Sequence, residues 1–288
     1  MSLEALIPSA IDGLMLGFVY GLAAMGLTLI FGVMRVINLS HGPVIALGMF
    51  VVYTLFTGPL GVNPYLGIVA ALVIGLAFGV VEYFVALDRV INAPELTTLL
   101  ATFSVNLMII GIATSVFTTT PRAVDVSLGS VGIGNVTVLG THAVAVLVAI
   151  VVAAGLYGLL FRTRVGKSIR AVANNRAAAE LMGIDSRRML ALAFGIGTSL
   201  AMVSGALLST LFPFNPLSGT GYEVKSFVIV VLGGLGNPTG ALLGGIVIGL
   251  LEGVTTVFIP VSWVPVLEYV IFILILLVRP AGLLGARA

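Results

Sequence analysis

Six stretches of the chain carry no Asp, Glu, Lys or Arg: 13–34, 42–81, 96–121, 126–161, 189–222 and 226–251. Several exceed the roughly 20 residues that cross a bilayer as a helix. Two are long enough for a pair of spans, or for one span and an ordered loop. Polar and glycine-rich breaks between them predict spans at about 11–33, 42–57, 64–87, 96–117, 141–161, 189–212, 224–235, 239–257 and 263–279. The break Gly233-Gly234-Leu235-Gly236-Asn237-Pro238 leaves 224–235 too short for an ordinary crossing. Such a half-helix is tolerated at membrane depth only where protein or a water-filled path satisfies its ends.

Composition agrees with this pattern. Of 288 residues, 59% are apolar and 8% charged, against about 25% charged in a soluble domain. So few charges cannot build a water-facing surface, and the solvent must be lipid. The expectation is an all-α integral membrane protein. It is a polytopic helical bundle of about 8–10 transmembrane segments, with broken or half-helices, in a single domain over 1–288. Cysteine is absent, which excludes a disulfide frame, a thiolate metal site and a cysteine nucleophile. Residues 1–10 have no basic region and no cleavage site, so the first apolar run reads as a retained span.

The net charge of +2 says little, but its placement sets orientation. Arg162, Arg164, Lys167, Arg170, Arg176, Arg187 and Arg188 crowd into one segment. The positive-inside rule makes 162–188 a cytoplasmic loop. Arg279 and Arg287 put the C-terminus on the same side. Loop 118–140, with only Arg122 against Asp125, goes outside. Counting back places Asp88-Arg89 and Arg35 inside and the acidic N-terminus (Glu4, Asp12) outside. The parity works only if 224–235 counts as a crossing.

An internal echo accompanies that count. Ser40, Asn63-Pro64 and Glu82 recur as Ser218, Asn237-Pro238 and Glu252, with offsets that drift by a few residues. The two halves would run oppositely through the membrane, as inverted repeats do in transporters. Chance similarity among glycine-rich spans is the competing reading. Gly240, Gly244, Gly245 and Gly249 mark a helix-packing surface.

The cytoplasmic loop has its own order. Ser168 is positioned to cap a short helix through Ala173. Asn175 can cap a second, Arg176–Met182. Arg176 and Glu180 are four apart and can pair. Gly183 sits where a helix ends left-handed, and Asp185 or Ser186 caps the next span. The product is a rigid two-turn helix bearing Ala177-Ala178-Ala179 beside Glu180, Leu181 and Met182. It suits docking into a groove on another protein, or resting on lipid headgroups as a topology-setting loop. Gly166-Lys167-Ser168 resembles the end of a phosphate-binding loop. Phe161 stands where the motif needs its first glycine, and no strand precedes it, so nucleotide is not bound that way.

Charges inside spans face the bundle or a cavity. Glu82, Glu252 and Glu268 are such residues, with Arg35, Glu223 and Lys225 near span ends. Glu223 and Lys225 face the bundle in the same way or simply sit in the headgroup zone. Glu82 and Glu252 could line a path, pair with Arg35 or another base, or relay protons; a satisfied interhelical contact is the plainer role. Asn38, Ser40 and His41 precede Gly42-Pro43 and can open a helix or form a hinge. Asn106 can bond across helices. His41 and His142 are the only histidines, too few for a metal site. Trp263 and Tyr269 read as interfacial or packing aromatics.

The run 26–42, GLTLIFGVMRVINLSHG, closely resembles the opening of LivH-type permeases of the branched-chain amino acid ABC importer family. So do 99–103 (LLATF), 173–184 (ANNRAAAELMGI) and 231–236 (VLGGLG). The closing RPAGL at 279–283 matches as well, with Ala281 where Gln is common. The resemblance covers nearly the whole chain. It implies a permease without its own ATPase, in the cytoplasmic (inner) membrane. It implies a second related permease, two cytoplasmic ATPase subunits that use ATP and Mg, and an extracytoplasmic binding protein. It also implies that 175–184 holds the coupling helix. The mechanism expected of such a machine is alternating access. Gly42-Pro43 and Gly233–Pro238, with Gly234 and Asn237, are the candidate gates. Wider relatives carry urea, short amides and sugars. A self-sufficient proton-coupled carrier using Glu82 or Glu252, and a nontransporting scaffold, are the other classes.

Overall fold

The computed structural model describes residues 5–59, 61–133, 136–278, 282 and 284. Glu4, Arg279, Arg287 and most of the closing RPAGL run lie outside the described residues.

The helices are α1 (Leu6–Met34), α2 (His41–Thr57), α3 (Pro64–Glu82), α4 (Glu95–Phe117), α5 (Gly140–Arg162), α6 (Arg164–Asn174), α7 (Arg176–Leu181), α8 (Ser186–Ser209), α9 (Ser218–Gly233), α10 (Pro238–Phe258) and α11 (Val264–Val278). Among the described residues, seven helical segments are long and apolar enough to cross a membrane. The shorter α2 and α9 complete the bundle. An expected start at 224 for the half-helix is corrected by six residues: Asn215 Oδ1 accepts from Leu217 N, Ser218 Oγ accepts from Asn215 N, and this polar turn opens α9 early. Its C-terminal break falls at Gly233–Pro238 as expected. Loop 118–140 is not wholly irregular either. It contains an antiparallel hairpin, β1 (Ser130–Ile133) with β2 (Val136–Leu139).

Local signals explain the helix starts. Asn63 and Asn237 each precede a proline at the first helical position, and each side chain accepts the amide two residues on. Proline has no amide to leave orphaned there, and asparagine satisfies the next donor. The C-terminal end of α3 widens into a π turn over Tyr83–Leu87.

The central helices are α1 and α8. Most of α8 is buried within the bundle, whereas most of α4 and of α11 faces outward. Their neighbours repeat: α1 packs on α10 as α8 packs on α3, and α2 meets α4 as α9 meets α11. The paired helices α1 and α8, and α2 and α9, also touch each other. The internal echo is therefore matched by matched packing.

Small residues make this possible, because lipid supplies no hydrophobic drive between helices. Gly245 and Gly249 of α10 face Gly17, Gly21 and Gly13 of α1, while Gly240 and Gly244 meet Gly233 and Ile229 of α9. Where α8 crosses α2, a Cβ on Gly205 would overlap the Ile45 carbonyl oxygen. By contrast Gly155 is exposed on α5 with open space beyond it.

Contacts between loops show which segments share an end of the bundle. Arg187 donates to Asp88 Oδ1 at 2.7 Å and Oδ2 at 2.5 Å, and Arg176 Nη1 donates to Asn92 Oδ1 at 3.1 Å. Segments 88–94 and 162–188 thus share one end of the bundle. Leu284 is at that end as well, its amide donating to the Gly233 carbonyl. Arg122 and Phe214 exchange two backbone hydrogen bonds at the other end. These groupings agree with the way charge sorted the segments onto two ends, with α9 running between them.

Gly205→Leu is expected to abolish a monodisperse folded species, since overpacking a tight core costs about 1–3 kcal/mol or more. Gly155→Ala is expected to keep or raise the melting temperature of the purified protein. Thermal unfolding with size-exclusion profiles checks both.

Candidate functional site

Two groups of residues stand out, one inside the bundle and one on the basic face.

Inside, the extended segment after α1 turns back into the bundle. Arg35 ends α1 in the left-handed conformation (φ 57°), its amide donating to the Phe31 carbonyl. Asn38, Ser40 and His41 are then buried. Asn38 Oδ1 accepts from the Ser40 amide at 3.0 Å. Ser40 Oγ lies 2.6 Å from Asn38 Oδ1 and 2.5 Å from Glu82 Oε1. The His41 ring reaches the Ala23 carbonyl at 3.0 Å, so Nε2 is the protonated nitrogen. Thr102 Oγ1 on α4 accepts from the Leu39 amide, and Asn106 Nδ2 donates to the Leu39 carbonyl at 2.5 Å. Asn106 Nδ2 also reaches Glu223 Oε2 at 3.3 Å.

The starts of α2 and α9 meet here. Gly42 lies against Gly219 and Glu223, and a Cβ on Gly42 would be 2.5 Å from that of Glu223. The structure therefore brings Asn38, Ser40, His41, Glu82 and Asn106 together and adds Glu223 and Thr102 to them. Glu223 is 7% exposed, which decides for the bundle over the headgroup zone: its side chain is committed to the α2–α4–α9 junction. Thr102 gave no signal in sequence beyond a hydroxyl in an apolar run.

Arg35 is set apart from that cluster. Among the described residues it forms no ion pair, so the pairing with Glu82 or Glu252 does not occur. It rims a cavity of about 650 Å³ between α1, α4, α9 and α11, with Glu95, Thr98, Phe227 and Phe272. Glu252 finds another base. Lys225 Nζ lies 2.5 Å from Glu252 and 3.1 Å from Glu268, with side chains only 11%, 19% and 6% exposed. Lys225 is thus also an interior residue, not a headgroup one. Gly233 packs on the backbone of Gly240, and Gly234 takes φ +103°. Asn237 caps α10 and donates Nδ2 to the Leu284 carbonyl.

On the basic face, Thr163 rather than Ser168 caps α6; its Oγ1 accepts from Gly166 N at 3.0 Å. The reason is Gly166, which nests on the Leu159–Leu160 backbone so closely that the chain reverses five residues before Ser168. Asn175 Oδ1 accepts from Ala178 N at 3.0 Å and starts α7. Arg176 and Glu180 pair at 3.2 Å. Gly183 turns left-handed at φ +79°, and Asp185 accepts from Arg188 N. Ala179 is buried, whereas Ala177, Ala178, Glu180, Leu181 and Met182 are exposed. Leu181 and Met182 are 89% and 82% exposed, an apolar tip on a charged surface.

The loop is joined to the bundle by more than chain connectivity. Ala179 and Val172 pack in one apolar cluster with Tyr83, Leu87, Leu190 and Phe194. Arg187 stacks over Phe84 at 5.2 Å while it grips Asp88. That hydrogen bond and charge hold the Asp88 carboxyl below its usual range. The pair therefore persists in mild acid and dissolves only below the ordinary carboxylate range.

Asn175→Ala is expected to cost about 1 kcal/mol of local helix stability. Faster amide exchange over 176–182, with 190–209 unchanged, is the corresponding readout.

Comparison with known proteins agrees with this architecture. Residues 9–278 match the family described as branched-chain amino acid transport system / permease component. The chain is 30% identical to the high-affinity branched-chain amino acid transport system permease protein LivH of Escherichia coli K12, over 95% of this chain and 94% of that one. It is 28% identical to the permease BraD of Pseudomonas aeruginosa, over 96% and 94%. It is 30% identical to the ribose import permease RbsC of Escherichia coli K12, over 81% and 73%. With this helical bundle and these matches along nearly its whole length, the chain belongs to the branched-chain amino acid transport system permease family.

Proposed function

We propose that the protein is the membrane-spanning subunit of an ATP-driven importer of branched-chain amino acids. It resides in the cytoplasmic membrane and works by alternating access. Partner ATPase subunits use the ATP and Mg, a second related permease completes the channel, and an extracytoplasmic binding protein delivers solute. Support for this reading comes from the names of its full-length relatives and from one structural observation. That observation is α7, a capped two-turn helix on the basic face with Leu181 and Met182 presented outward. A rigid apolar tip of this kind suits a cleft on a moving partner, and its far side packs on the helices it would move.

The same reading assigns a route for force. Motion of α7 reaches the end of α3 through Arg176–Asn92 and, at the adjoining start of α8, through Arg187–Asp88. The π turn carries it to Glu82, and Glu82 holds Ser40 at the start of α2. The cavity rimmed by Arg35 and the cluster of Asn38, Ser40, His41, Glu82, Asn106 and Glu223 form the inner part of the path. The breaks at Gly42-Pro43 and Gly233–Pro238 are its hinges. Similar identity to a ribose permease fits a machine whose shared residues specify transport, with solute choice resting partly on the binding protein.

The test is uptake by the reconstituted complex. Leu181→Asp, Ala178→Trp and Arg176→Glu are each expected to leave insertion intact and to cut ATP-dependent leucine uptake at least about tenfold, a loss typical of a central docking residue. Normal uptake by these variants, or uptake by this chain alone, would sink the assignment.

A further inference from the structure

We propose that the cavity bounded by Tyr20, Phe212, Tyr222, Lys225, Glu252 and Glu268 is a low-affinity receptor for the head group of a zwitterionic α-amino acid. This rests on the permease reading and deepens it.

Three helices each contribute one charge. Lys225 comes from α9, Glu252 from α10 and Glu268 from α11, and the ammonium sits between the two carboxylates. One ammonium faces two carboxylates, so with all three ionised the cluster carries one uncompensated negative charge. A clamp that only tied helices together would need one charge of each sign, because excess charge in a lipid-surrounded bundle is costly. Glu268 is thus the carboxylate beyond what a one-to-one clamp with Lys225 and Glu252 needs, and it is the one placed to receive a ligand ammonium.

The cavity beside the triad has a volume of about 390 Å³. Its walls sort by chemistry. Lys225 Nζ lies 4.3 Å from the centre of the Tyr20 ring, which shows that the aromatic wall accepts an ammonium. Glu268 Oε1 meets Lys225 at 3.1 Å without hydrogen-bond alignment, so this buried oxygen retains capacity for a second donor. Val261, Val264 and Pro265 give an aliphatic side. A ligand ammonium placed on Glu268 and a ligand carboxylate placed on Lys225 would leave the net charge of the pocket unchanged. A branched aliphatic side chain would lie along the valines, as pockets of this kind combine an apolar lining with a few convergent polar groups. The site lies towards the end of the bundle that carries the Arg122–Phe214 bridge, away from α7. On the permease reading, that is the end at which imported solute arrives. Val261 at its rim is 66% exposed.

This chain has no cysteine, so Val261→Cys places a single reporter in this subunit, whose labelling is read from its own mass after the complete complex has been treated in lipid nanodiscs without ATP. Saturating leucine is expected to slow maleimide labelling about tenfold, with a dissociation constant of about 1 mM. Isocaproate, which lacks the ammonium, and leucinamide, which lacks the carboxylate, are expected to protect poorly. Glu268→Gln and Lys225→Gln in the same background are expected to weaken protection about tenfold or more, as loss of a charged hydrogen-bond partner does. Glu268→Asp is expected to restore most of it. Labelling unaffected by leucine, or slowed equally by isocaproate, would overturn the site while leaving ATP-driven uptake intact. Absence of uptake with all partners present would instead overturn the permease reading.

Discussion

The structure turns on one backbone contact, that between Gly42 and Gly219. It sets the beginnings of α2 and α9 against each other within the bundle. Helix starts leave orphan amides, and inside a membrane no water is at hand to satisfy them. An asparagine meets part of that need at each start: Asn38 Oδ1 accepts from the Ser40 amide, and Asn215 Oδ1 accepts from the Leu217 amide. Glu82, Asn106 and Glu223 then close the space between them. A side chain at either glycine would push the helices apart and break that arrangement. Chemistry and packing are therefore one constraint at this point.

Helices and their ends were largely legible because their causes are local. Apolar runs set the spans, Asn-Pro marks the starts of α3 and α10, and Asn175 and Gly183 bracket α7. The features that escaped are those fixed by tertiary contact. Glu223 and Lys225 look superficial in sequence because they lie near a polar turn, but neighbouring helices enclose them. Thr163 rather than Ser168 caps α6 because Gly166 allows α6 to fold tightly onto α5. The hairpin at 130–139 has mixed small and β-branched residues that read as loop until the two strands pair.

The basic loop joins the bundle through two kinds of contact with different properties. Apolar packing of Val172 and Ala179 with Tyr83 and Leu87 is insensitive to salt. The Arg187–Asp88 pair is exposed on the arginine side, so it contributes direction more than strength. Together they tie the loop and the end of α3 to the same face of α8.

The π turn at Tyr83–Leu87 carries a geometric burden. Glu82 must point inward to Ser40, while Asp88 must point along the face of the bundle to Arg187. A regular α-helix fixes the angle between those positions, and the wider turn resets that phase by accommodating one additional residue. The inner polar centre and the surface contact are thus tuned to each other by the pitch of a single turn. Removing one residue from it would keep the helix but rotate one of the two side chains away from its partner.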